Sequence, residues 1–209
     1  MELVVSIESG FARDPLGQWA DADEVPAGLA LVYDFVNTLD ERVFHAHALR
    51  RDRRDLIDEP EALGRWLVAR GLPAPASAAD VEAAREPRWA LREAIAANSR
   101  PGLAAAARQA MDRAGRRLPL RLALDGTARP RLEPVDGGVR GALATVLAQV
   151  VEASERGAWT RLKMCAADDC RWVFYDASRP RLGRWCEMAS CGNRAKTREY
   201  RQRRRRAAG

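Results

Sequence analysis

All four cysteines of this 209-residue chain lie between positions 165 and 191, as Cys165, Cys170, Cys186 and Cys191. Their spacing is C-x4-C, fifteen residues, then C-x4-C. Two close pairs separated by a short insert suit one tetrahedral ion with four thiolate ligands, zinc first among the candidates. Each pair can fold as a tight knuckle, and the insert can bring the knuckles together. The competing readings are two disulfides or four unrelated thiols. The start, Met1-Glu2-Leu3, does not read as a secretory signal, which argues against disulfides. The clustering argues against unrelated thiols. An ion with four thiolates keeps no position open for water or substrate, so the expected cofactor is one structural Zn2+ rather than a catalytic metal. So short a segment cannot bury an adequate core alone, and metal binding would supply its folding free energy.

The residues after Cys191 are GNRAKTREYRQRRRR. On a helix, Arg194, Arg198, Arg201 and Arg205 fall at i, i+4, i+7 and i+11 and form one stripe. Lys196 and Arg203 fall on a second face. An arginine-covered helix pinned at its start by a metal ligand is a nucleic-acid probe. Double-stranded DNA is the expected partner. The other reading is a solvated basic tail, with Arg203 to Gly209 fraying unless a partner is bound. Asn193 is expected to cap the helix or contact a base, and Gly192 to allow a close backbone approach. Arg194, nearest the last ligand, is the candidate base reader. Arg205 is a phosphate contact at most.

Charge divides the chain in the same place. From Gly157 onward there are 14 Lys+Arg and 5 Asp+Glu, a balance of +9; the other 21 basic and 24 acidic residues give −3, and the two make up the net +6. A basic end and a mildly acidic remainder suggest two tasks. The expected parts are residues 1–156 and 157–209.

These motifs also carry a family resemblance. RWCEMASCGNRAKTREYR resembles the signature of the CGNR zinc-finger family, named for Cys191-Gly192-Asn193-Arg194. CAADDCRWVFYDASRPR is similar to that family's first knuckle, so the likeness spans residues 161–201. The family pairs the finger with an N-terminal α/β domain called ABATE. The resemblance implies a bacterial, stress-related transcription regulator. LVYDFVNTLD, around Asp34, resembles the opening motif of ABATE, with Tyr33 where an apolar residue is expected. If that domain senses a small-molecule effector, Asp34 and Asn37 are the first candidates to line its pocket.

The rest of the chain reads as mostly helical. Leu3 to Ile7 is a short strand or an irregular start, and residues 13–26 are loop. A helix is expected from Gly28 to Leu49, with Asp34, Asn37, Thr38 and Glu41 as its solvated face. His45 and His47 would point about 200° apart on it, so they are not a shared metal site. A second helix starts at Pro60, bearing Leu63, Trp66, Leu67 and Val68, and stops at Gly71. A third starts at Ser77 or Asp80 and kinks or breaks at Pro87. A fourth runs from Leu103 to Ala114, ended by Gly115. Leu118–Leu124 and Arg129–Val135 form a hairpin around Asp125-Gly126. A last domain helix spans Val139 to Arg156. In the finger, Arg171–Tyr175 pairs with Arg161–Met164, and Trp172, Phe174 and Trp185 form a small core around the metal or, alternatively, stack on bases.

The fold class is therefore α+β: a mostly helical N-terminal domain with a small antiparallel β element, then a treble-clef-like zinc finger. No apolar run is long enough to span a membrane, and a cytoplasmic protein is expected. There is no Gly-rich phosphate loop, no G-x-S-x-G elbow and no paired carboxylates, so no enzyme is expected. The alternatives to a DNA-binding regulator are an RNA-binding or protein-docking module, and a redox switch in which thiolate oxidation ejects zinc.

Overall fold

The structure is a computed structural model, and it describes residues 25–43, 45–46, 49–50, 53–72, 75–100 and 102–207. In chain order the elements are α1 (Ala27–Asn37), β1 (Leu39–Asp40), β2 (His45–Ala46), β3 (Leu49–Arg50), β4 (Arg54–Asp55), α2 (Pro60–Val68), α3 (Ala78–Ala97) and α4 (Ala105–Arg117). Then come β5 (Leu120–Leu124), β6 (Pro130–Pro134), α5 (Gly138–Glu155), β7 (Leu162–Met164), β8 (Val173–Tyr175) and α6 (Asn193–Ala207). The strands form four antiparallel pairs: β1 with β4, β2 with β3, β5 with β6, and β7 with β8. The mostly helical α+β expectation holds. The proposed strand at Leu3 to Ile7, and His47, lie outside the described residues.

The short helix α1 is the axis of the fold. Leu29, Val32, Tyr33, Phe35 and Val36 are all buried, so it is covered on more than one side. It packs on α5, on α3 and on β8. It is much shorter than its apolar period suggests. Thr38 closes it, with its hydroxyl donating to the Phe35 carbonyl at 2.6 Å. The chain then turns into β1, and Asp40 accepts from the Arg42 backbone and guanidinium. The supposed solvated face is the reverse of what was expected. Asp34, Asn37 and Thr38 are buried, and Glu41 is partly buried.

Long-range partners explain that reversal. Asp34 pairs with Arg70 at 3.1 Å. Thr38 accepts from Arg88 at 2.9 Å, and Arg88 also pairs with Asp55. Arg92, almost fully buried in α3, donates to the carbonyls of Val36, Leu39 and Arg171 and to Glu41. These satisfied bonds make it possible to bury charge between α1 and α3.

Two other helices run further than their sequence punctuation suggests. The Ser77–Asp80 capping box starts α3, as expected. Pro87 does not break it, because Ala84, Arg88 and Leu91 on either side are buried and hold the helix through the missing rung. α4 passes through Gly115 and ends at Arg117, with Arg116 and Arg117 in the last turn, where cations are favoured. Val68 of α2 and Val151 of α5, apolar though they are, lie exposed. The β5–β6 hairpin forms around Asp125-Gly126 as the turn chemistry requires.

The β7–β8 hairpin is a wall shared by two cores. Leu162, Met164 and Val173 belong to the main core with α1, α3 and α5. Trp172 and Phe174, on the opposite side by strand alternation, pack with the cysteines and Ala167 in a second, smaller core. Hydrophobic packing thus crosses the expected boundary at residues 156 and 157.

Candidate metal centre and basic helix

The first knuckle grows from the end of β7. The Cys165 amide donates to the Trp172 carbonyl at 2.8 Å, and the Cys170 amide to the Ala167 carbonyl at 2.9 Å. Arg171 leaves the turn in the left-handed region, with φ 53°. The Ala166 amide donates to the Arg184 carbonyl, which draws the segment bearing Cys186 alongside the first knuckle. One π-helical turn, Met188–Gly192, then carries Cys191 directly into α6. The order is thus a strand hairpin, then a π turn that bears the last cysteine and opens into α6.

The four Sγ atoms all lie within 4.8 Å of one another. Cys170 to Cys186 and Cys186 to Cys191 are each 3.6 Å. Tetrahedral bonds of about 2.3 Å place sulfurs roughly 3.8 Å apart, so the donor set has the size of a tetrathiolate metal site. None of the four is in a disulfide. Hydrogen bonds from Cys170 and then Cys186 hold the Cys165 thiol far below its ordinary range. Hydrogen bonds from Cys165, then Cys170 and Cys191, push Cys186 above it. Four thiols at this spacing cannot all ionise unless a cation sits among them.

Each residue of the Cys191–Arg194 run builds this centre. Cys191 supplies a sulfur. A Cβ on Gly192 would meet Met188 Sδ and lie 3.3 Å from Trp185, so any larger residue would make the Met188 side chain shift. Its close approach is to this chain's own side chains. The Asn193 amide donates to the Ala189 carbonyl at 3.0 Å. Arg194 donates to Ser190 Oγ and Asp169 Oδ1 at 3.0 Å each, and to Cys191 Sγ at 3.5 Å. Partial burial works against the Arg194 charge, but Asp169 and the Cys191 sulfur more than offset it. Arg198 takes the other Asp169 oxygen at 3.0 Å.

The arginine stripe therefore divides. Arg194, half-buried, and Arg198, exposed, both pair with Asp169, while Lys196, Arg201 and Arg205 are exposed on α6 and form no salt bridge among the described residues. Sequence reasoning missed Asp169, whose signal was an acidic pair inside a knuckle of an otherwise basic segment. It also missed Arg42, whose guanidinium lies 4.0 Å over the Trp172 ring. Trp172 and Phe174 are buried against the cysteines, with Trp185 partly buried beside them, so these rings form the small core.

Asp34 and Asn37 each hold a partner far along the chain. Asp34 meets Arg70, while Asn37 binds the backbone of Val173 twice, accepting at 3.0 Å and donating at 2.9 Å. A second network joins the two parts lower down: Arg171 pairs with Glu41 and Glu93, and Glu41 with Arg92. Burial opposes the Glu41 charge, but Arg92 and Arg171 hold its carboxyl below the usual range.

Comparison with known families completes this picture. The profile of the ABATE family, described as a putative stress-induced transcription regulator, matches residues 29–168. The chain belongs to the ABATE family. The profile of the CGNR zinc finger matches residues 161–204. The two matches overlap across β7 and the first knuckle, where this ABATE protein shares one hairpin between its two cores. No curated protein matched the chain. Among the described residues, no helix is long and apolar enough to cross a membrane.

Proposed function

We propose that this ABATE protein is a DNA-binding transcription regulator whose Cys165, Cys170, Cys186 and Cys191 hold one structural Zn2+. The observation that carries the reading is α6. It leaves the metal centre as a continuous helix and exposes Lys196, Arg201, Arg203, Arg204, Arg205 and Arg206. Among the described residues none of these six forms a salt bridge, so their charge is available to a polyanion. A single cationic helix suits the wide major groove of duplex DNA better than the narrow one of A-form RNA. Arg194 and Arg198 serve the metal centre in this reading, and the outer arginines meet phosphate. The reading gives the chain no catalytic step. A small-molecule effector would enter the cleft of about 420 Å³ between the end of α3 and the first knuckle, which Arg100, Met164, Cys165 and Arg184 help to line.

The test is binding to a mixed-sequence duplex at several salt concentrations. Each phosphate that the protein no longer neutralises should lower the slope of log affinity against log salt by about 0.9. R201A/R203A/R205A should lower it by roughly 2–3 units and weaken all sequences alike. If that variant keeps its metal and binds DNA with unchanged affinity and slope, the reading fails. Competition with structured RNA and an acidic peptide then identifies the partner of α6.

A further inference from the structure

Between β8 and Cys186 the chain runs DASRPRLGRW, residues 176–185. This loop is built around a buried ion pair that the metal centre does not use. Lys163 and Asp176 are 5% and 4% exposed, with Nζ to Oδ2 at 2.8 Å. Asp176 Oδ1 accepts from the Ser178 amide at 3.2 Å and the Ser178 hydroxyl at 2.5 Å. Asp176 Oδ2 also accepts from the Gly183 amide at 2.7 Å. Lys163 Nζ donates in addition to the Arg181 carbonyl. Arg161 closes the frame by donating to the carbonyls of Asp176 and Ser178 at 2.9 and 3.2 Å. A Cβ at position 183 would sit 2.9 Å from Asp176 Cγ, so a glycine is required where the loop returns.

This frame holds out a tip that adds nothing to either core. Arg179, Arg181 and Arg184 are exposed, and Leu182 between them is 75% exposed. Among the described residues, none of the three arginines forms a salt bridge. Burying a charged pair is costly, and here it goes into the shape of a loop that presents cations and one aliphatic side chain. A docking surface for protein would offer a broader apolar patch. One leucine among arginines instead matches the wedge with which minor-groove proteins open a base step, the cations being drawn to the potential of the narrow groove. A wedge must be stiff, and the Asp176 frame supplies stiffness.

The geometry points to the 179–184 loop as a second DNA contact, which sets its arginines in the minor groove and Leu182 against a base step. This rests on the DNA-binding reading above. The probe is an A·T-rich duplex carrying 2-aminopurine, whose fluorescence rises when its step is unstacked. The full metal-loaded chain is compared with L182A, R179A/R181A and the helix variant R201A/R203A/R205A, each checked for metal content. Wild type should raise the fluorescence and L182A should not, while L182A keeps the wild-type salt slope. R179A/R181A should lower the slope by roughly 1.8 units. The loop proposal is overturned, with the helix reading intact, if R179A/R181A keeps the slope while the helix variant loses its share. A wild type that binds without any fluorescence rise also overturns it. If neither variant changes the slope, the DNA reading falls and the loop proposal falls with it.

Discussion

Asn37 uses both ends of its amide on one residue, the Val173 backbone, 136 positions away. Among the described residues, the edge of β8 it occupies has no strand partner, and the amide stands in for a third strand there. Asn37→Leu should leave a buried N–H and a buried carbonyl unpaired, at about 1–3 kcal/mol each. Urea unfolding of the metal-loaded chain should show that loss as a lower midpoint; an unchanged midpoint would mean that the contact carries no stability. Arg194, whose position suggested base reading, is engaged at the metal centre in the free chain. With Asp169 it braces the Cys191 sulfur, and losing such outer bracing typically lowers metal affinity 10–100-fold. Arg194→Ala should therefore give up metal to a chelator sooner than Arg201→Ala, which should behave as wild type. Equal retention in the two variants would return Arg194 to the partner-binding set. At Asp176, burial opposes ionisation, but Lys163, Ser178 and Gly183 hold its carboxyl down at about 2, below the ordinary 3.8. A depressed carboxylate stabilises above its unfolded pKa and loses that contribution as pH falls through the folded value. The stability gap between wild type and Asp176→Asn should thus be full above about pH 5 and shrink as pH falls toward 2. Acid titration of both proteins reads it, and a gap independent of pH would refute the assignment.

At the scale of elements, what was legible depended on how local the cause was. The cysteine spacing, the β7–β8 hairpin, the Ser77 cap and α6 were readable because their determinants lie within a few residues of one another. The end of α1 was not. Val43 keeps the apolar period going, and only the distant partners of Asp34, Asn37 and Thr38, just past α2, on β8 and on α3, stop the helix at Asn37. Pro87 misled because packing outweighed local preference, and Gly115 because the cationic last turn of α4 carries the helix past it. The metal ligands were legible as a pattern. The pairing of Arg194 and Arg198 was not, because its cause is a single carboxylate in the other knuckle. α6 itself can be tested as an element. Because Cys191 and Arg194 anchor its first turn, removing the metal should lower its helicity, and circular dichroism before and after chelation should show the loss. Unchanged helicity would mean that α6 stands without the centre.

At the scale of the molecule, the two cores meet at one hairpin, so they should not melt separately. Metal binding energy is folding energy for the knuckles, and β7 and β8 pass part of it to the main core through Leu162, Met164 and Val173. Calorimetry of the metal-loaded chain should give one cooperative transition, and chelation should lower its temperature. Two transitions, with only the upper one indifferent to chelator, would show independent parts. The shared wall also bears on how such a chain can be recombined, by a laboratory or by descent. A finger cut out at residue 157 would take away the inner side of the hairpin, uncovering those three apolar side chains and the β8 edge that Asn37 closes. The helical remainder would lose a face of its interior at the same cut. This finger is therefore not a portable cassette: a graft that works must carry α1 with it, or rebuild residues 162, 164 and 173 as an outer surface.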